Sequence, residues 1–449
     1  MPTSSSLSPP PKPQSQPNAT PHGNQQPPQQ YLQTLLQSAR PFLTGDLSPI
    51  DPNLPSLISL LRSVGANECW HKHGTFLHHL LNIHRILTLW NSPAAVALCG
   101  LFHSAYSNSY VNLAIFDPAT TGREDVRRHV GAEAERLIYM FCVVPRQPLI
   151  HDDLLFRYAD AELVEDLGAS EVSVRNAKES GVFDEEEGWR KKLESIVPKD
   201  GVVVKHIKTG EDVLVSRRLV AVFVMMTIAD FSDQLFGFQD VLFENFNGRL
   251  EFSGNDVAGG LWPGDGKPGL WMNSLSRMGA IYNLIVREEQ ILLEKRRREK
   301  SGGGDEGVVI EAGRDEEIEL VVPPVFDGCT RVLDAGEQII ARDMYWEAVN
   351  CSAGLERAEE LLVGCIAKNP FIGEPHVVLS QVYLSSGRFE EGEREAVKGL
   401  TLLLEWGSPW DKRMSWEGWI AWARVLLMKA KERSWPHTSW GILNLGLVK

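Results

Sequence analysis

Residues 219–229, Leu-Val-Ala-Val-Phe-Val-Met-Met-Thr-Ile-Ala, are the longest strongly apolar run in the chain. A bilayer-spanning helix takes about 20 apolar residues, so this run is too short to cross a membrane. It also has no polar face to turn toward water. The expectation is a helix of roughly Ser216 to Asp233, buried on every side within a helical domain.

Such a helix needs neighbours around it, and the flanking sequence supplies them. Tyr31-Leu-Gln-Thr-Leu-Leu-Gln repeats apolar residues at helical spacing. Further helices are expected over Asp51–Val64, Thr75–Trp90, Ala94–Ala105 after Pro93, Gly122–Phe141 before Pro145, and Leu275–Lys300. Residues 160–200 are acidic and read as irregular. Val202–Ile207 and Asp212–Val215 flank Lys208-Thr-Gly-Glu and read as a β-hairpin. The Gly- and Pro-rich stretch 254–270 reads as loop, and Ser301-Gly-Gly-Gly-Asp-Glu-Gly as a linker.

With 449 residues, the chain has room for about two or three domains. Residues 1–30, rich in Pro, Ser, Gln and Asn, cannot bury enough apolar surface to offset ordering entropy and read as a disordered tail. A His-rich helical domain is expected over 31–296, a flexible linker over 297–332, and a second helical module over 333–449. Net charge is −14, which argues against a nucleic-acid partner, since phosphate must be neutralised by a basic surface. The one dense basic run, Lys295–Lys300, reads as a solvated helix end. The six cysteines form no CxxC pair, and the N-terminus has no apolar signal core, so a reducing, cytoplasmic setting without a membrane partner is expected. The alternative is an organellar transit segment, weakened by the lack of any arginine before Arg40.

Six of the 12 histidines lie between His71 and His103: His71, His73, His78, His79, His84 and His103. Metal binding needs several imidazoles or carboxylates converging on one point. His79 falls on the Thr75–Trp90 helix and His103 at the end of the next one, and a short connection makes those helices neighbours. Arg123, Arg127, Arg128 and His129 form a cationic stretch. Arg127 is a candidate phosphate ligand, against pairing with Glu124, Glu133 or Glu135 at helical spacing.

This order resembles the HD superfamily of metal-dependent phosphohydrolases. Phe76-Leu-His-His-Leu-Leu looks like its first element, Ala97-Leu-Cys-Gly-Leu-Phe-His-Ser like its second, and Ile228-Ala-Asp230 like its last. The resemblance implies a metal site of His79, His103 and Asp230 for a divalent ion such as Zn, Fe or Mn. It is degenerate, because Ser104 stands where the pattern has its second-element Asp, and a hydroxyl is a poor ligand without that negative charge. Residues 55–449 also resemble an uncharacterised, mainly plant family (DUF6817-like) with a C-terminal helical appendage. That appendage is similar to tetratricopeptide repeats: Leu379, Tyr383 and Gly387 sit at consensus positions, as do Ala358, Cys365 and Pro370 one period earlier.

Seven of the 13 tryptophans fall in the last 44 residues. They read as an aromatic cap on a short solenoid, with Tyr383, Trp416 and Trp419 the candidates for touching a protein partner. The fold expected is thus mainly α: an HD-like helical bundle with a small β-hairpin, then tetratricopeptide-like antiparallel helix pairs. The function expected is a non-catalytic or weakly active HD-like domain coupled to a protein-interaction module. The alternative is a metal-dependent phosphohydrolase acting on a phosphoester or nucleotide.

Overall fold

The computed structural model describes residues 28–71, 74–108, 115–234, 266–301, 318–328, 333–350 and 354–445, together with residues 315 and 352. The expected tail up to residue 27, His73, most of the 254–270 loop and the Gly302–Gly304 linker lie outside the described residues. What is described is mainly helical, with two antiparallel two-stranded sheets. No described helix is long and apolar enough to cross a membrane.

The first helices are α1 (Pro28–Thr44), α2 (Leu54–Ser63), α3 (Phe76–Leu89) and α4 (Ala94–Leu101). A strand pair β1 (Trp70–His71) and β2 (Gly74–Thr75), not foreseen in the sequence, leads into α3. Thr75 caps α3 by accepting the His78 N–H at 3.2 Å. The helix expected over Gly122–Phe141 is two: α5 (Gly122–Val130) and α6 (Ala132–Val143). Gly131, at φ 86°, breaks the run in a conformation that L side chains rarely adopt.

The stretch expected to be irregular holds α7 (Asp160–Ser180) and α8 (Gly188–Ile196). Its acidity is compatible with a helix because Asp160 and Glu162 lie in the first turn of α7, where the helix dipole favours them. Its buried stripe of Leu163, Leu167, Ser170, Ser173 and Ala177 is narrow and built partly from small residues, so periodicity alone is faint. The hairpin forms as expected, with β3 (Val202–Lys205) paired to β4 (Asp212–Val215) in the register Val202↔Val215.

The apolar run lies in α9 (Arg217–Gln234), where the described side chains from Leu219 to Asp233 are all buried. It packs on α3 and on the long α10 (Trp271–Ser301). Arg218 pairs with Glu289 at 3.0 Å. That ties the start of α9 to the later half of α10, and Lys412 Nζ links the Ser232 carbonyl near the end of α9 to the Trp271 ring at the start of α10, so the two helices run antiparallel. The end of α9 therefore lies beside the start of α10.

The remaining helices are α11 (Pro324–Gly328), α12 (Ala335–Val349), α13 (Leu355–Lys368), α14 (Glu374–Ser385), α15 (Phe389–Trp406), α16 (Trp416–Lys431) and α17 (Ser439–Leu443). One continuous core includes Leu80, Phe223, Tyr282, Phe326, Leu361 and Trp406, and so draws on both stretches. Ile318, Val325 and Phe326, inside the expected linker, are buried in it. A second cluster joins Leu32 and Ala39 of α1 to Leu400, Leu403, Trp416 and Ile420.

Polar contacts fix the same junction. Arg85 on α3 donates to the Gly407 carbonyl at 3.0 Å and to Glu417 at 2.7 Å, with its guanidinium 4.6 Å from the Trp416 ring. Trp90 Nε1 donates to the Glu405 carbonyl at 2.9 Å. Ser408 Oγ and Lys412 Nζ donate to the Ser232 carbonyl in the last turn of α9, at 2.8 and 2.5 Å.

Gly399 and Gly373 let α14 and α15 approach closely. A Cβ at Gly399 would lie 2.7 Å from Val377 Cγ2 and 2.9 Å from the Gly373 carbonyl oxygen. Gly399→Ala is expected to lower stability by about 1–3 kcal/mol in denaturant unfolding, since a backbone atom cannot step aside as a side chain can. Buried Glu374 accepts the Trp410 N–H at 2.5 Å and the Asp411 N–H at 3.1 Å, both on Oε1. Burial lifts its pKa from 4.5 to about 7. A carboxyl raised on folding is most compatible with the fold below its unfolded pKa, and stability falls as pH rises through the folded value. Glu374→Gln keeps the accepting oxygen, so it is expected to match the parent near pH 4.5 and exceed it at pH 8 by roughly 1–3 kcal/mol. Denaturation midpoints at the two pH values measure this, and equal differences at both would contradict it.

Candidate metal centre

Three elements bring the candidate ligands together. α3 carries His79, the turn after α4 carries His103, and the last turns of α9 carry Asp230. Gly100 allows the approach of α4 to α3: a Cβ there would lie 2.5 Å from Leu87 Cδ1 and 3.1 Å from Ile83 Cγ2. One potential ligand atom from each of His79, His103 and Asp230 lies within 4.8 Å of the others. This is the one such group among the described residues, and all three side chains are buried.

Both imidazoles are held by Nδ1. His79 Nδ1 faces Asp233 Oδ2 at 2.8 Å, and Asp233 Oδ1 accepts from Asn82 Nδ2 at 2.9 Å. His103 Nδ1 lies 2.7 Å from the Gly100 carbonyl oxygen, which can only accept, so Nδ1 carries the proton. His79 Nε2 faces Asp230 Oδ1 at 3.2 Å. In each ring Nε2 is the nitrogen left to bind a cation. A carboxylate or carbonyl on the far nitrogen fixes tautomer and orientation, as the outer shell of a metal site does.

The charges follow from these neighbours. Burial disfavours charge on His79, but Asp230 and Asp233 outweigh it and raise the pKa to about 9. Burial takes His103 down to about 4, with Asp230 offsetting only part of the effect. Burial also opposes the charge on Asp230, yet His79 above all holds its carboxyl well below the usual range. Without a cation, the cluster is a histidinium clamped between two carboxylates.

The surroundings are ordered too. Gln234 Nε2 donates to Asp230 Oδ1 at 2.8 Å, and its Oε1 meets His71 Nε2 at 3.1 Å. The His71 ring lies 4.6 Å from that of His79. Arg146, buried, stands 4.0 Å from Asp230 Oδ2 with its guanidinium 3.8 Å from the Phe141 ring. Ser104 Oγ accepts from Asn108 Nδ2 at 2.7 Å.

The other candidates sit elsewhere in the fold. Arg127 joins Arg123 on the buried carboxylate of Glu135, at 3.0 and 2.7 Å, so it is engaged in an ion pair between α5 and α6 and not in one at i,i+4 spacing along a single helix. Tyr383, Trp416 and Trp419 are core residues and not an open partner surface. Trp416 Nε1 donates to the Leu403 carbonyl and Trp419 Nε1 to the Asp411 carbonyl, at 2.7 and 2.9 Å, because these rings pack the C-terminal helices together. Asp233, at the end of the expected apolar helix, is buried against His79. Its i,i+3 spacing from Asp230, matched by Asn82 from His79, was the signal that places each pair on one helix face. Arg146 carried no such signal.

In the metal-free chain, the His79 ring is expected to titrate near pH 9 and that of His103 near pH 4, in histidine-resolved NMR. An His79 ring titrating close to 6.5 would show that the two carboxylates do not clamp it.

Residues 60–146 match a family model described as a domain of unknown function (DUF6817). No curated protein and no solved structure matches the chain. The matched stretch contains His79 and His103 and ends before Asp230, so the likeness to this uncharacterised family takes in two of the three clustered residues.

Proposed function

We propose that the chain is an HD-like, metal-dependent phosphohydrolase whose centre is His79, His103 and Asp230. The observation that carries this reading is the convergence of those three ligand atoms within 4.8 Å. Two imidazole nitrogens and one carboxylate oxygen suit Zn, Fe or Mn. Three protein ligands leave coordination open for solvent or substrate. A bound divalent ion supplies Lewis-acid polarisation of a phosphoryl oxygen and lowers the pKa of water.

The protein's own groups prepare that chemistry. His79 would give up its Nε2 proton to hold an ion, and Asp233 would keep the proton on Nδ1. Affinity for the ion is therefore expected to rise with pH. Arg146 and Gln234 hold the Asp230 carboxylate in place. Ser104 is already engaged by Asn108 and adds no ligand, which distinguishes this centre from the usual HD set.

A second reading rests on the same serine. With Asp230 and Asp233 satisfying His79 between them, the cluster can hold α3 to α9 without an ion. The chain is then a non-catalytic HD-like domain that serves a protein partner through its C-terminal helices. The antiparallel pairs α12–α13 and α14–α15 are consistent with a tetratricopeptide-like module.

Metal content of the purified, tag-free chain by mass spectrometry separates the two. About one Zn, Fe or Mn per chain, lost in His103→Ala, together with metal-dependent release of phosphate from a phosphomonoester, is the expected result. No metal in either sample, with both normally folded, leaves the non-catalytic reading.

A further inference from the structure

Consecutive residues in the connection between α15 and α16 touch the two helices that carry His79 and Asp230. Gly407 lies against α3. Its carbonyl accepts from Arg85 Nε at 3.0 Å, and a Cβ on it would lie 3.0 Å from Leu89 Cδ1 and 3.3 Å from Ile86 Cα. Ser408, the next residue, lies against α9. Its Oγ donates to the Ser232 carbonyl at 2.8 Å, and Lys412 Nζ donates to the same oxygen at 2.5 Å. Lys412 Nζ also donates to Ser408 Oγ at 3.0 Å, so the three groups form one closed set.

The position of that carbonyl gives the set its consequence. The last four carbonyls of a helix have no partner within it, and α9 ends at Gln234. Ser232 stands between Asp230, a candidate ligand, and Asp233, which orients His79 through Nδ1 at 2.8 Å. A helix end without partners frays, and here both carboxylates would move with it. An ammonium is also the charge that the dipole favours at a helix C-terminus. Burial takes the pKa of Lys412 down to about 8, and Asp233 offsets part of the effect. The ammonium thus lies within the field of the carboxylate that holds His79.

The connection is itself fixed from the C-terminal side. Glu374 at the start of α14 accepts the N–H groups of Trp410 and Asp411. The Asp411 carboxylate accepts from Tyr345 of α12 at 2.6 Å, and the Asp411 carbonyl accepts from Trp419 of α16 at 2.9 Å. The segment cannot slide against these helices without breaking buried hydrogen bonds. A displacement of the C-terminal helices therefore reaches Ser408 and Lys412.

The geometry points to Ser408 and Lys412 as positioning residues for the metal centre, through which the packing of α12, α14 and α16 sets how tightly His79, His103 and Asp230 hold an ion. As a statement about the ion it rests on the hydrolase reading; as a statement about His79 and Asp233 it does not. Coupling of this kind is reciprocal, so an ion at the centre also steadies the connection.

Zinc titration of the full chain tests this, with amide hydrogen exchange and histidine-resolved NMR on the same preparations. Ser408→Ala and Lys412→Met are each expected to weaken zinc affinity about tenfold or more, as removal of outer groups at a metal site does. Zinc is expected to slow exchange of the Trp410 and Asp411 N–H groups in the parent about tenfold, and by more than those of the β3–β4 hairpin. Unchanged or tighter zinc binding in both folded variants overturns the positioning role, because loss of the Lys412 charge alone favours a cation. Zinc binding that leaves Trp410 and Asp411 exchange unchanged overturns it as well, and this arm needs no variant to fold. A parent that takes up no zinc removes the hydrolase reading and leaves the role to the metal-free chain. There, His79 ring signals that shift in both variants keep it, and signals that stay in place overturn it.

Discussion

Burying a charge is costly unless partners come with it, and the end of α9 buries two carboxylates at once. Asp230 and Asp233 have little access to water, and His79 bridges them through its two ring nitrogens. Removing one member of a buried ionic set typically costs about 3–5 kcal/mol, because the others stay charged without a partner. The position of α3 against α9 is therefore strictly specified at this point. The same constraint makes the cluster suited to a cation. One carboxylate, Asp230, and two imidazoles already face one spot, and the hydrogen bonds that orient the rings come from outside it.

The C-terminal helices take part in this arrangement. Lys412 and Ser408 cap the last turn of α9, while Arg85 and Trp90 of α3 reach the segment around Glu405 and Gly407. Both helices that meet at the cluster are thus held from the same side. The apolar core runs through the junction, and α1 closes over the second cluster. A change in how the C-terminal helices sit has a direct physical route to the orientation of Asp233.

Much of this was visible in residue order. The all-apolar run predicted a fully buried helix, and the apolar stretches on either side of Gly210 predicted the hairpin. His79, His103 and Asp230 stood out because they recur in the order of a known metal-site pattern. What escaped was whatever depends on a weak local signal. α7 was hidden because its buried face is narrow and rich in serine and alanine. The break at Gly131 was hidden because a glycine inside a helical pattern is common, and only its positive φ makes it a boundary. The tryptophans of the C-terminus looked like a surface because aromatic clusters occur at interfaces and in cores alike.

The sequence by itself determined the helical class, the hairpin and the identity of three residues that cluster, since periodicity and residue chemistry are local properties. Only the tertiary structure decided which acids share a site, that Arg127 belongs to Glu135, and that Trp416 and Trp419 are interior. Those outcomes depend on which faces of distant helices meet and on which charges lose their water together. Neither is encoded at any one position along the chain.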